Sequence, residues 1–160
     1  AVVNEGVSME LQERILVRHL KIAAQFGRTI TLHCVSGCWE RLIAILKQFE
    51  SDHKDKVTGP GAVAGAAPLC AIILHSCNSL PHHLLSQLLR LRSAVFFSIS
   101  AGGRGGITNR TVTLIHAIPA DRLLIETDSP DQMPACLRNN KSKKDECHSV
   151  CLQYNEPALL

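Results

Sequence analysis

The sequence predicts an α/β fold whose parallel strands are joined by helical crossovers. Three observations carry that expectation. Apolar runs of strand length alternate with stretches of helical periodicity from residue 8 to residue 128. The strand runs are continuously apolar, as expected of strands covered on both faces. Three of the four runs end on a side chain able to ligate a metal: His33, His75 and Asp128.

Residues 8–26 read as an amphipathic helix, with Leu11, Ile15, Leu16, Leu20 and Ala23 on one face. Ser8 fits its N-cap and Gly27 a left-handed C-cap. The β-branched run at 29–33 predicts a short strand ending at His33. Trp39, Leu42, Ile43, Leu46 and Phe49 mark a second helix. A polar exit (51–56) and a Gly/Pro/Ala connection (59–68) follow, without a change of rhythm that would signal a domain boundary. Residues 69–75 predict a strand ending at His75. Residues 80–91 predict a helix with Pro81 in its first turn. AVFFSIS (94–100) is a third strand. A Gly-rich loop then leads to a helix from about Thr108 to His116, which Pro119 ends. RLLIETD (122–128) is the fourth strand, ending in Glu126, Thr127 and Asp128. Such alternation calls for right-handed crossovers.

The chain has 160 residues, of which 46% are apolar and 19% charged, which excludes a disordered or fibrous protein. Its formal charge of +3, from 17 basic and 14 acidic residues, does not supply the concentrated basic face of a dedicated nucleic-acid binder. The basic stretch at 138–144 reads as a solvated loop, because Asp145 and Glu146 follow it at once. No run approaches the roughly 18 apolar residues of a membrane span, and the first residues lack the pattern of a signal peptide. Seven cysteines without framework spacing predict reduced thiols in an intracellular protein, in the cytoplasm or nucleus.

In parallel α/β folds all strand C-termini point to one face, and that face carries the active site. Two neutral imidazoles and a carboxylate there form a ligand set for a divalent ion. His82 and His83 fall in a helical first turn and are expected to be exposed without a role. His116, near a helix C-terminus, is expected to serve the helix dipole.

TLHCV and ILHS, each followed by a helix, then IETDSP and finally NEPALL occur in this order. With them the chain resembles the TatD-type metal-dependent deoxyribonucleases, amidohydrolase-like (β/α)8 barrels. IPADRLLIETDSP (118–130) is the most specific segment, and NEPA (155–158) is a second; the resemblance runs from about residue 10 to 160. It implies that His33 and His75 are ligands at the ends of the fifth and sixth barrel strands, with Asp128 on the eighth. Asp128 would bind metal and take the proton of the attacking water. A divalent ion (Mg, Mn or Zn) is the implied cofactor and DNA the implied substrate. Arg104, in the loop after the third strand, is the candidate for a phosphate contact.

The family also has an H-x-H pair on its first strand and a bridging Glu on its fourth. No H-x-H occurs in these 160 residues, and Glu5, Glu10 and Glu13 lie before or within the first helix. A barrel needs eight strands and about 250 residues. The resemblance therefore implies one partial domain over 1–160, the C-terminal half of the barrel, without the N-terminal strands and last helix. Such a half is expected to be weak or inactive alone, and either to require its missing half or to self-associate. Val35, and Cys77, Asn78 and Ser79 after His75, depart from the family's pattern at positions near the phosphate. Two alternatives stay open. One is an inactive remnant acting as an interaction module. The other is a small structural zinc site built on Cys34 and Cys38, or on Cys147, His148 and Cys151.

Overall fold

The computed structural model describes residues 7–35, 37–53, 68–101 and 107–129. The Gly-rich loop with Arg104, most of the 59–68 connection, the basic stretch at 138–144, the cysteines at 147 and 151 with His148, and NEPA at 155–158 lie outside them.

The first helix, α1 (Met9–Gln25), begins where Ser8 turns to extended backbone and its Oγ accepts the Leu11 N–H at 3.2 Å. It ends in a Schellman turn. Gly27 takes φ +57°, and the Arg28 N–H reaches the Ala23 carbonyl at 2.8 Å. Strand β1 (Ile30–His33) and helix α2 (Trp39–Asp52) follow, then β2 (Ala71–His75) and α3 (His82–Leu89). Strand β3 (Ala94–Ser100) leads to α4 (Asn109–Ala117) and β4 (Leu123–Glu126). The start of α4 is a reciprocal cap. Thr108 Oγ1 accepts the Thr111 N–H at 3.2 Å, and Thr111 Oγ1 accepts the Thr108 N–H at 3.4 Å.

The four strands form one parallel sheet in the order β1-β2-β3-β4, so α2, α3 and α4 are each crossovers between neighbours. Register fixes which residues share a face. Leu32 pairs with Leu74, Leu74 with Phe97, and Phe97 with Leu123, so these point one way. That face is the buried one. Leu32, Ile72, Leu74, Val95, Phe97 and Ile99 join Leu20, Trp39, Leu46, Leu84, Leu88 and Leu114 of the helices in a single core. Each such side chain removed from water contributes roughly 1.5–3 kcal/mol.

The opposite face corrects the expectation of strands covered on both sides. Thr31, Ile73, Phe96 and Leu124 share it, and all of them are exposed or half-buried among the described residues. On β4 even the helix-side residue Ile125 is 78% exposed. Along β2 the run therefore buries alternate residues only, whereas β3 is buried continuously from Phe97 to Ser100. The first helix departs likewise from its expected stripe. Leu20 and Ala23 are buried, but Leu11 and Ile15 stand 42% and 44% exposed, and Ala24 is buried instead. A short 3-10 turn at Cys77–Ser79, not foreseen, precedes α3, which spans only His82–Leu89. The last strand stops at Glu126, so Asp128 lies beyond it rather than on it. No helix among the described residues is long and apolar enough to cross a membrane.

One buried carboxylate ties the helix layer to the sheet. Glu50, near the end of α2, accepts the backbone N–H groups of Arg92 and Ser93, both at 2.8 Å, where the chain enters β3. Replacing it by Ala removes two charge-assisted bonds, worth on the order of 2–4 kcal/mol together. Urea unfolding of Glu50→Ala should show that loss, and Glu50→Gln, which keeps one acceptor oxygen, about half of it.

Candidate functional site

The C-terminal ends of the strands bring the predicted residues to one edge of the sheet. His33 and His75 are register partners, so their rings leave neighbouring strands at the same level and on the same, open face. Their centroids are 5.2 Å apart with a tilt of 43°. Glu126 is the register partner of Ser100 and points to that face as well. Asp128 returns toward the site because its backbone is left-handed, with φ +56°. A non-glycine residue in that region signals a constrained conformation, one that clusters at functional sites.

His75 is the centre of the arrangement. Its Nδ1 lies 2.9 Å from Glu126 Oε2, and its Nε2 lies 3.2 Å from Asp128 Oδ1. The three side chains are 28%, 20% and 18% exposed, so the pairs are partly shielded from water. Ser98, buried on β3, donates its hydroxyl to the same Glu126 Oε2 at 2.6 Å. The other oxygen, Glu126 Oε1, is buried without a hydrogen-bond partner.

The turn after His75 is pinned from three sides. Ser76 takes φ +47°. Asn78 then acts like a short piece of strand against β3: its Nδ2 donates to the Ser100 carbonyl at 2.7 Å, and its Oδ1 accepts the Ser100 N–H at 3.1 Å. Trp39 Nε1 donates to Ser79 Oγ at 3.3 Å, and Arg110 reaches the Ser79 carbonyl at 3.4 Å. The departure at 77–79 thus serves to lock the His75 turn. Within it, burial pushes the Cys77 thiol up to about 12, with Glu126 acting in the same direction, so Cys77 is an inert packing group.

Burial also lowers the pKa of His33 below its usual 6.5. The nearby His75 ring acts the same way, against the opposing pull of Asp128 and Glu126. His33 is therefore a neutral imidazole at neutral pH, the form that can offer a lone pair. Beside it a cavity of about 240 Å3 opens between α1 and α2, lined by Gln12, Glu13, Cys34, Cys38 and Arg41 among others. Arg41 at its rim is paired with Glu13.

The donors can be tested against a divalent ion. At metal–ligand distances of about 2.0–2.1 Å, adjacent donor atoms stand roughly 3.0–3.4 Å apart, and His75 Nε2 and Asp128 Oδ1 meet that spacing at 3.2 Å. Imidazole and carboxylate are also the right donor types. Among the described residues, however, no three His, Cys, Asp or Glu side chains converge on one point, so His33 stands beside the pair without closing a triad. The cysteine alternative finds no third donor there either. Cys34 and Cys38 are free, and burial, aided by Cys38, pushes the Cys34 thiol up to about 11. His82 and His83 are exposed, and His116 sits exposed in the last turn of α4, as expected.

Sequence reasoning placed His33, His75 and Asp128 but gave no role to Glu126, Ser98 or Asn78. A signal existed for two of them. Ser98 and Glu126 are polar residues inside otherwise apolar strands, both at positions facing the open side.

Comparison with known proteins adds an independent line. The family model described as TatD related DNase matches residues 3–158. The 3'-5' ssDNA/RNA exonuclease TatD of Shigella flexneri is 30% identical over 154 residues, covering 94% of this chain and 47% of that protein. The protein of the same description from Escherichia fergusonii is 29% identical over the same length, with the same coverage. The chain thus spans about half the length of these curated relatives.

The lowered His33 pKa has a stability consequence. The unfolded chain protonates this ring near pH 6.5 and the folded chain only at lower pH, so between those values the unfolded state binds more protons. Stability should therefore fall as the pH drops below about 6.5. His33→Gln should flatten that dependence in urea unfolding of the metal-free chain at a series of pH values.

Proposed function

Because the chain belongs to the TatD related DNase family, we propose that it carries the His33–His75–Asp128 part of a hydrolase site that cleaves phosphodiester bonds of single-stranded DNA or RNA. The observation that supports this reading most directly is the 3.2 Å approach of His75 Nε2 to Asp128 Oδ1 at the C-terminal edge of a parallel sheet. The substrate class follows the activity of the two relatives, both single-stranded DNA/RNA exonucleases by name.

A divalent ion (Mg, Mn or Zn) would be held by His75 and Asp128, with His33 as the third protein donor. Such an ion lowers the pKa of a bound water and neutralises charge building on the phosphate. The chain's own contribution is positional and acid–base. Asp128 orients the attacking water and accepts its proton. The water oxygen bonds to phosphorus as the phosphorus–oxygen bond to the sugar oxygen of the remaining strand breaks, and the proton passes to that leaving oxygen. Arg104, in the loop after β3, contacts a neighbouring phosphate. The four free thiols among the described cysteines agree with a reducing, intracellular setting, in the cytoplasm or nucleus.

In this reading β1 to β4 are the fifth to eighth strands of a (β/α)8 barrel, and residues 1–160 are one partial domain. Three facts support it. The strands run parallel in sequential order. One face of the sheet packs on helices and the other is open. The chain covers 47% of its relatives. The H-x-H pair and the bridging Glu must then come from elsewhere, since H-x-H is absent from the sequence. The lack of a third converging donor among the described residues favours a second reading for the isolated chain, as a module that binds without turnover.

The 160-residue chain alone should not cleave single-stranded DNA above background in Mg2+ or Mn2+. Manganese-dependent cleavage abolished by Asp128→Ala would contradict that expectation. Joined to a polypeptide that supplies H-x-H and the Glu, it should release 3'-terminal nucleotides. In that assembly Asp128→Ala should lower kcat by about 10²- to 10⁴-fold; an unchanged rate would remove Asp128 from the mechanism. With β1 and β4 as sheet edges and Ile125 78% exposed, the isolated chain should also self-associate in sedimentation velocity.

A further inference from the structure

We propose that Glu126 is a positioning residue that selects the tautomer and ring orientation of His75, with Ser98 holding Glu126 in place. The inference rests on the reading of His75 and Asp128 as a ligand pair and deepens it. None of the comparisons assigns Glu126 or Ser98 a role.

A neutral imidazole carries one N–H donor and one lone pair, on different nitrogens. Here both nitrogens face carboxylate oxygens, Nδ1 at 2.9 Å from Glu126 Oε2 and Nε2 at 3.2 Å from Asp128 Oδ1. If Nε2 held the proton, the Nδ1 lone pair would face a carboxylate oxygen at hydrogen-bond distance in a partly buried place, a repulsive contact. With the proton on Nδ1 the shorter contact becomes a charge-assisted hydrogen bond. The lone pair of Nε2 then points at Asp128 Oδ1. Two acceptors facing each other at 3.2 Å call for a positive charge between them, which a second ring proton supplies in the imidazolium and a divalent ion supplies in the ligand reading. A histidine ligand whose other ring nitrogen donates to a carboxylate is the usual arrangement at metal centres.

Ser98 makes the arrangement specific. Its hydroxyl has one proton, and it gives that proton to Glu126 Oε2 at 2.6 Å, the oxygen that also faces Nδ1. Both bonds therefore draw on one oxygen, while Oε1 stays buried without a partner among the described residues. A carboxylate placed only to satisfy its own charge would share donors between its two oxygens. This one is oriented for a single acceptor position. The three side chains come from three adjacent strands, His75 from β2, Ser98 from β3 and Glu126 from β4. The ladder bonds of the sheet thus set their spacing, with no loop involved.

The test uses the full 160-residue chain and Mn2+ alone, an ion that prefers carboxylate oxygen over thiolate and so avoids the free cysteines. Two readouts are followed: ring 15N chemical shifts of His75 in the metal-free protein near pH 8, and Mn2+ affinity by calorimetry. The wild type should show the Nδ1–H tautomer. Glu126→Ala should shift the population toward Nε2–H and weaken Mn2+ binding about 10- to 100-fold. Glu126→Gln should restore most of the tautomer preference, because its amide oxygen can accept the same proton. Ser98→Ala should give a smaller shift in the same direction. An unchanged His75 tautomer in a folded Glu126→Ala protein overturns the proposal. So does a Glu126→Gln protein that behaves like Glu126→Ala while unfolding at the same urea concentration as wild type. His75→Ala and Asp128→Ala separate the two readings. If neither affects Mn2+ binding, the ligand pair fails, and the nitrogen spectra still decide whether Glu126 sets the tautomer.

Discussion

A neutral imidazole between two carboxylates can satisfy only one of them with its single proton, and His75 stands between two such groups. The nearer acid, Glu126, is steadied by Ser98 and in the proposed tautomer takes the donor. The farther acid, Asp128, then faces the lone-pair side. On the proposed reading this division turns two chemically similar groups into an orienting residue and a reacting one. Their backbones differ accordingly. Glu126 is the last residue of a strand, fixed by ladder pairing, whereas Asp128 follows in a left-handed conformation. Two carboxylates two residues apart in sequence thus stand in different backbone settings.

The surrounding structure keeps that ring in place. His75 leaves β2 into a turn fixed by the strand-like pairing of Asn78 with Ser100 and by the indole of Trp39 on Ser79. Trp39 is itself buried at the start of α2, so the helix that follows β1 supports the turn that follows β2. At the other end of α2, Glu50 caps the entry into β3, the strand that carries Ser98. Core packing and the polar site therefore share members.

Much of this was legible in the sequence, because it depends on local chemistry. The cap at Ser8, left-handed Gly27, the stripe on α2 and the bounds of β3 all follow from short-range patterns. So does the position of His33 and His75 at strand ends, since an apolar run of fixed length ending in a polar residue leaves little freedom. Other features depend on what comes near in space. An apolar run such as Ile72–Leu74 looks the same whether one face is covered or two, and only packing shows that alternate residues are buried. Leu11 and Ile15 fit the period of α1, but the helix turns them away from the sheet. Glu126 was overshadowed by Asp128 in the same motif, and its value appears only once β4 is placed two strands from His75.

The register of β1 against β2 has a wider meaning. His33 and His75 are neighbours because their backbones are hydrogen-bonded partners, so the gap between their rings is measured by the inter-strand spacing of about 4.8 Å. That ruler belongs to the peptide group and is independent of which apolar residues fill the core beneath it. Leucines, valines and phenylalanines can be exchanged across the helix layer while the two imidazoles keep their separation. In evolutionary terms the sheet decouples the history of the core from the dimensions of the chemistry.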